Sequence, residues 1–196
     1  MKTGASSNSS PARRWRFSVT GAASDQHTAP LTIDLPADSP LRHLNDRTLV
    51  VLLRSFGCTF CREAMADVSA AKAGLRQAGA SIAFVHGADP AEASPWFAKY
   101  GLDDVVQVSD PGLAHYRAFG LGRTGAGALV DPQVWTRGAA CAWVHGFGSQ
   151  SSEMIRQLPG VFVVQGARVL AEYRHASPAD RPDYLGIVRA ATPALQ

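Results

Sequence analysis

The stretch VVLLRSFGCTFCREAMADV, Val50 to Val68, joins two patterns with almost nothing between them. Leu49 to Leu53 is an unbroken apolar run, which predicts a strand buried on both faces, as in a parallel sheet covered by helices. From Cys61 onward the residues Cys61, Ala64, Met65, Val68, Ala71, Leu75 and Ala78 recur at the three- and four-residue spacing of an amphipathic helix, and Gly79 ends it. A buried strand running directly into a helix is the opening of a β-α-β crossover. Two of the three cysteines in the chain, Cys58 and Cys61, stand at that join.

The same alternation continues downstream. SIAFVHG (Ser81 to Gly87) predicts a second buried strand, PAEASPWFAKYG a short helix, VVQVSD a third strand and PGLAHYRAFG another helix. The order β-α-β-α-β-α argues for an α/β sandwich with crossover helices. A glycine-rich stretch at about 120–152 breaks the rhythm and reads as an insertion with partial helix. Beyond it, PGVFVVQGARVLAEYRH holds two extended runs around Gln165 and Gly166, the signature of a β-hairpin. DRPDYLGIVRAA predicts a closing helix. Upstream, RWRFSVT (Arg14 to Thr20) and PLTIDLP predict short added strands, and residues 1–14 a disordered tail. The chain therefore reads as one α/β domain over 15–196, with a mixed central β-sheet flanked by helices.

Composition narrows the function classes. At 196 residues and 46% hydrophobic content, the chain can bury a sizeable core without disulfide staples. The formal charge of +3 comes from scattered arginines. Even the densest group, Arg13, Arg14 and Arg16, lies in a Ser-rich tail, so no nucleic-acid partner is expected. There is no apolar run of about 18 residues, so no membrane span is expected. MKTGASSNSSPARRWRF lacks the apolar middle of a secretory signal, so a cytoplasmic location is expected. In a reducing compartment three cysteines do not make a disulfide framework, leaving redox chemistry or metal binding to test.

A thiol at a helix start faces unpaired backbone N–H groups and the positive end of the helix dipole. Both favour thiolate, the form that attacks disulfides and peroxides. With two residues between them, Cys58 and Cys61 can meet within one turn and close a disulfide reversibly.

These residues carry a resemblance. The segments LVVLLRSFGCTFCREAM, VSDPGLAHYRAFGLGR and LPGVFVVQGARVLAEYRH resemble the thioredoxin-fold superfamily, in particular its peroxiredoxin-like branch of the alkyl hydroperoxide reductase and thiol-specific antioxidant (AhpC/TSA) group, over roughly residues 45–190. The resemblance implies a thioredoxin-like fold in its peroxiredoxin-like variant. It implies an oxidoreductase with Cys58 and Cys61 as catalytic thiols and no cofactor or metal. The partners would be a protein or small-molecule disulfide, or a peroxide, together with a thiol electron donor. It places Pro159 where such folds carry a cis-proline that shapes the substrate groove, with Gly57 and Thr59 as further substrate contacts.

One departure matters. Peroxiredoxins read Pro-x-x-x-Thr-x-x-Cys; aligning the last position to Cys61 puts Arg54 at the proline and Cys58 at the threonine. A thiol replaces the hydroxyl that would help hold peroxide, which favours a dithiol oxidoreductase with Cys58 attacking and Cys61 resolving. A peroxidase with Cys61 as the attacking thiol is the alternative. A zinc-holding or interaction module is the reading from another class, with Cys58, Cys61, Cys141 and His145 as four ligands.

The remaining polar residues read as follows. Cys141 is expected to be packed in the core, with a distant resolving thiol as the alternative, His86 to be structural, His115 and His175 to lie at the surface, and Arg62 either to support a thiolate or to be solvated on an exposed helix start. Trp96, Trp135 and Trp143 read as core or insertion packing. The insertion could cap the groove or form a homodimer contact.

Overall fold

In a computed structural model, the residues described are 18–19, 31–125, 132–149 and 152–191. The 1–14 tail expected from the sequence and part of the glycine-rich insertion lie outside them.

Among the described residues, six strands form one sheet in the order β1-β6-β5-β2-β3-β4. At its centre, β2 (Thr48–Leu52) runs parallel to β3 (Ser81–His86), and β3 runs parallel to β4 (Val106–Ser109). On the other side β2 pairs antiparallel with β5 (Gly160–Gln165), and β5 with β6 (Arg168–Arg174). The short β1 (Ser18–Val19) pairs with β6, and Thr32 makes an isolated bridge to Arg168. The two segments predicted as added strands thus reach the sheet edge, PLTIDLP through a single bridge. Gly166 turns the β5–β6 hairpin with φ +57°, a conformation that costs a residue without Cβ little.

The unbroken apolar run of β2 is explained by the two layers that cover it. Leu49, Val51 and Leu53 belong to one core with Met65, Val68 and Leu75 of α1 (Thr59–Gln77), Ala93 and Phe97 of α2 (Pro90–Lys99), and Ile187 and Val188 of α6 (Tyr184–Ala190). Val50 and Leu52 belong to the opposite core with Val85, Tyr116, Phe119 and Phe162, where α3 (Ala114–Ala118) packs. Side chains alternate across the strand, so burial of both faces requires every position to be apolar. Each fully buried large apolar side chain contributes roughly 1.5–3 kcal/mol.

A buried polar group ties the second layer down. Asp110 accepts the N–H groups of Ala114 and His115 and lies 3.3 Å from Nδ1 of His115, whose Nε2 is 2.8 Å from the Ser39 hydroxyl. All three residues are buried, so His115 is not the surface residue expected from the sequence. The serine–histidine–carboxylate order resembles a hydrolytic triad. Ser39 is only 1% exposed, however, and its hydroxyl accepts the N–H of Leu41. This arrangement joins α3 to the loop before β2.

Between α3 and β5 the chain forms α4 (Pro132–His145) and α5 (Ser152–Ile155). Of these, α4 falls within the 120–152 stretch where partial helix was expected, and it lies on α1. Trp135 and Trp143 on α4 are 68% and 93% exposed, contrary to the packing role expected of them. Among the described residues, no helix is long and apolar enough to cross a membrane.

Candidate active site

Cys58 is the N-cap of α1, with extended φ and ψ of −81° and 122°, and its carbonyl accepts the N–H groups of Cys61 and Arg62 at 3.1 Å each. The neutral thiol makes no capping hydrogen bond of its own. The thiolate is favoured chiefly by a hydrogen bond from the Cys61 thiol, then by the charge of Arg54 and by the backbone N–H groups of Cys61 and Phe60; against the cost of burial, these lower the Cys58 pKa to about 6. Phe60 and Cys61 hold the positions whose N–H groups an N-cap side chain ordinarily accepts, so the sulfur stands where serine or aspartate would.

Cys61 is driven the other way. Burial pushes its thiol well above the usual range, reinforced by the bond it donates to Cys58 and by the charge there. The backbone N–H of Arg54 donates to its sulfur at 3.2 Å. Both cysteines are free. The negative charge of the pair is therefore favoured on Cys58 and disfavoured on Cys61. The rate of Cys58 alkylation by iodoacetamide is expected to rise through a midpoint near pH 6 and to level off above it, because only the thiolate reacts. In Cys61→Ala, which removes the donated hydrogen bond, the midpoint should move upward. An unchanged midpoint would show that Cys61 does not set it.

Arg54 lies two residues beyond β2 and is only 4% exposed. Its guanidinium donates to the carbonyls of Met154, at 3.3 Å, and Ile155 in α5. Two peptide dipoles thus anchor a buried cation beside both thiols. Arg62 is buried as well, which corrects the solvated alternative. It donates to the carbonyls of Phe56 at 2.5 Å and His145 at 3.0 Å, and its guanidinium lies 4.2 Å from the centre of the Trp96 ring. These arginines use their planar donor forks as fasteners.

The thiols are not open to solvent. Cys58 and Cys61 are each 3% exposed. The strap 146–149, which follows α4, lies on the residue before Cys58, and Gly148 N–H donates to the Gly57 carbonyl at 3.0 Å. A Cβ on Gly57 would sit 1.9 Å from the Ser149 carbonyl oxygen, so only glycine permits this approach. Alongside, the Cys141 thiol donates to the Thr59 carbonyl at 3.5 Å. The insertion, for which a cap over the groove or a dimer contact was expected, lays its residues 146–149 on Gly57. The open groove implied for these thiols is closed in this state, because the strap occupies the backbone of Gly57.

The other residues named from the sequence fall as follows. Pro159 lines a cavity of about 20 Å³, room for one water, together with Cys61, Arg54, Tyr184 and His175. No described peptide bond is cis, so the bond before Pro159 is trans, unlike the one the resemblance implied. The Thr59 hydroxyl is buried without a hydrogen-bond partner beside Cys58, as is the Ser55 hydroxyl three residues before it. His86 is buried against Phe56 and Phe97, as expected for a structural residue. His175 is buried too, contrary to its expected place at the surface. Cys141 and His145 do not join Cys58 and Cys61 in a four-ligand set; their ligand atoms group with Glu63 instead.

The sheet order, the crossover helices and the dithiol at the start of α1 define a thioredoxin-like α/β fold in its peroxiredoxin-like form. Comparison with solved structures agrees. Peroxidoxin BcpB from Mycobacterium tuberculosis superposes with a TM-score of 0.55 at 13% identity, over 84% of this chain and 97% of that one. Peroxiredoxin Q from Xanthomonas campestris gives 0.53 at 17% identity, over 76% and 79%. Reduced Prx3 from Vibrio vulnificus, in complex with hydrogen peroxide, gives 0.50 at 15% identity, over 80% and 89%. No protein-family model matches the sequence, and no curated protein matches it significantly.

Proposed function

We propose that the protein is a thiol–disulfide oxidoreductase whose working pair is Cys58 and Cys61. The observation that carries this reading is the asymmetry of the two thiols: one at the helix cap with its anion favoured, the other buried behind it and kept protonated. That division suits a nucleophile and a resolver. The Cys58 thiolate attacks one sulfur of a disulfide R–S–S–R′, forming Cys58–S–S–R and releasing R′S⁻. Cys61 then loses its proton and attacks the Cys58 sulfur, releasing RS⁻ and closing the Cys58–Cys61 disulfide. Two electrons pass to the substrate, and a dithiol donor restores the reduced pair. The charge of Arg54 and the helix N-terminus favour the thiolate form throughout.

Substrate must displace the strap to reach Cys58. The unpartnered hydroxyls of Thr59 and Ser55 are then available to its polar atoms, and Pro159 stands beside Cys61. A protein disulfide would meet the exposed Trp143, Val144 and Phe147 on the way in. A homodimer contact would use that same face, and sedimentation of the reduced protein distinguishes the two uses.

Peroxide reduction is the second reading, supported by the shared fold of the peroxide-bound Vibrio protein. It would have the Cys61 thiolate attack one peroxide oxygen, breaking the O–O bond and releasing hydroxide, to leave a sulfenic acid; the thiol of Cys58 or Cys141 then condenses with it, forming a disulfide and releasing water. The test is turnover of insulin disulfides and of hydrogen peroxide by the wild type, Cys58→Ser and Cys61→Ser. Dithiol exchange predicts that both variants lose insulin reduction, with Cys61→Ser accumulating a mixed disulfide at Cys58. If Cys58→Ser, which restores a hydroxyl at the threonine position, consumes peroxide while Cys61→Ser does not, the peroxidase reading replaces the first.

A further inference from the structure

Glu63 on α1 and Cys141 and His145 on α4 bring a carboxylate oxygen, a thiol sulfur and an imidazole nitrogen within 4.8 Å of one another. The dithiol exchange uses none of the three. Cys141 and His145 are four residues apart on one helix, so a single face presents both, and Glu63 meets them from the helix beneath. Thiolate, imidazole and carboxylate are the ligand types that zinc accepts in four-coordinate sites; three of them leave one position for water. A soft sulfur in the set selects against magnesium and calcium.

The structure already places a cation against Glu63. Its carboxylate pairs with Arg137 and lies 3.8 Å from Arg181. Both arginines also have other partners. Arg137 also donates to the Ala179 carbonyl and lies 5.0 Å from the centre of the Phe60 ring, while Arg181 holds Asp67 with two bonds of 2.7 Å. Either can release Glu63 and keep its other contacts.

We propose that Glu63, Cys141 and His145 bind one zinc ion that fastens α4, and with it the 146–149 strap, onto the thiol-bearing helix. His145 is the last residue of α4, and its carbonyl is already held by Arg62. A metal bridging α1 and α4 at this point fixes the start of the strap and holds the cover over Cys58 closed. The ion would set how readily the redox pair is reached while standing outside the exchange itself.

Binding is tested in the Cys58→Ser/Cys61→Ser double variant, where the redox thiols can no longer supply zinc ligands. After dialysis against micromolar zinc under a non-thiol reductant, this protein should retain one equivalent and melt at a higher temperature than its metal-free form. Cys141→Ser and His145→Ala added to that background should each weaken binding about a hundredfold, since even outer-shell changes at zinc sites cost 10–100-fold. Cobalt in place of zinc should show a sulfur-to-metal charge-transfer band that Cys141→Ser abolishes. No retained zinc in the double variant, or equal retention after Cys141→Ser, overturns the proposal. The fastening is read separately, in otherwise wild-type protein. Zinc should slow alkylation of Cys58, and His145→Ala should remove that protection. Protection that persists in His145→Ala would mean that zinc sits on Cys58 and Cys61 directly, which also overturns it. Neither readout requires disulfide turnover, so failure here leaves the exchange reading standing.

Discussion

Gly57→Ala is expected to expose Cys58 and to speed its alkylation by about a hundredfold at pH 7. The new methyl group meets the backbone of Gly148 and Ser149, with the Ser149 carbonyl oxygen only 1.9 Å away, so the strap rather than a flexible side chain must move. Gly57 is not among the glycines with positive φ, so alanine costs no backbone strain there. What the strap loses is the Gly148–Gly57 hydrogen bond and, if it swings far enough, the bond from Arg62 to the His145 carbonyl. One neutral and one charge-assisted hydrogen bond together contribute about 3 kcal/mol. As local opening, that is about two decades in the population of accessible thiol. The midpoint near pH 6 should stay close to its wild-type position, since Arg54, Phe60 and Cys61 are undisturbed. An alkylation rate equal to that of the wild type would show that the strap does not limit access.

The second large effect is on stability in acid and comes from His175. Both ring nitrogens are buried without a hydrogen-bond partner, and burial, opposed in part by the charge of Asp180 and aided by that of Arg137, lowers the pKa from an ordinary 6.5 to about 4. The folded protein therefore holds the ring neutral where the unfolded chain would protonate it. Above about pH 6.5 both states are neutral and the histidine adds no pH dependence. As pH falls from 6.5 towards 4, the unfolded state takes up the proton first and the fold loses about 3 kcal/mol. Urea denaturation at pH 7 and pH 4.5 measures this loss. His175→Leu should be neutral or stabilising at pH 7, because it removes unsatisfied buried nitrogens. At pH 4.5 it should retain most of the stability that the wild type loses. If the two proteins lose stability equally on acidification, the acid sensitivity lies elsewhere.

Much of the architecture was legible in local pattern. The β2 run is apolar at every position because both faces are covered, and the three- and four-residue spacing after Cys61 is the core-facing side of α1. Both signals belong to single elements and survive without knowledge of neighbours. The cysteine pair was legible for the same reason: its position at a helix start follows from local sequence alone. The histidines were not. His115 meets Ser39 and Asp110, and His175 packs on Tyr173, contacts that no local spacing announces. Arg62 likewise looked exposed until Trp96 and the carbonyl of His145 came to lie against it.

Pattern alone thus determined the order of strands and helices, the layers on either side of β2 and the placing of two thiols at the cap of α1. These depend on periodicity and on the dipole of one helix, both properties of neighbouring residues. Only the folded chain decided which thiol favours the charge, that Arg54 is anchored by carbonyls about a hundred residues away, that a glycine-bearing strap lies on Gly57 beside the pair, and that Glu63 meets Cys141 and His145. Those outcomes are set by contacts between distant segments, and no spacing within a segment encodes which distant backbone will come to lie on it.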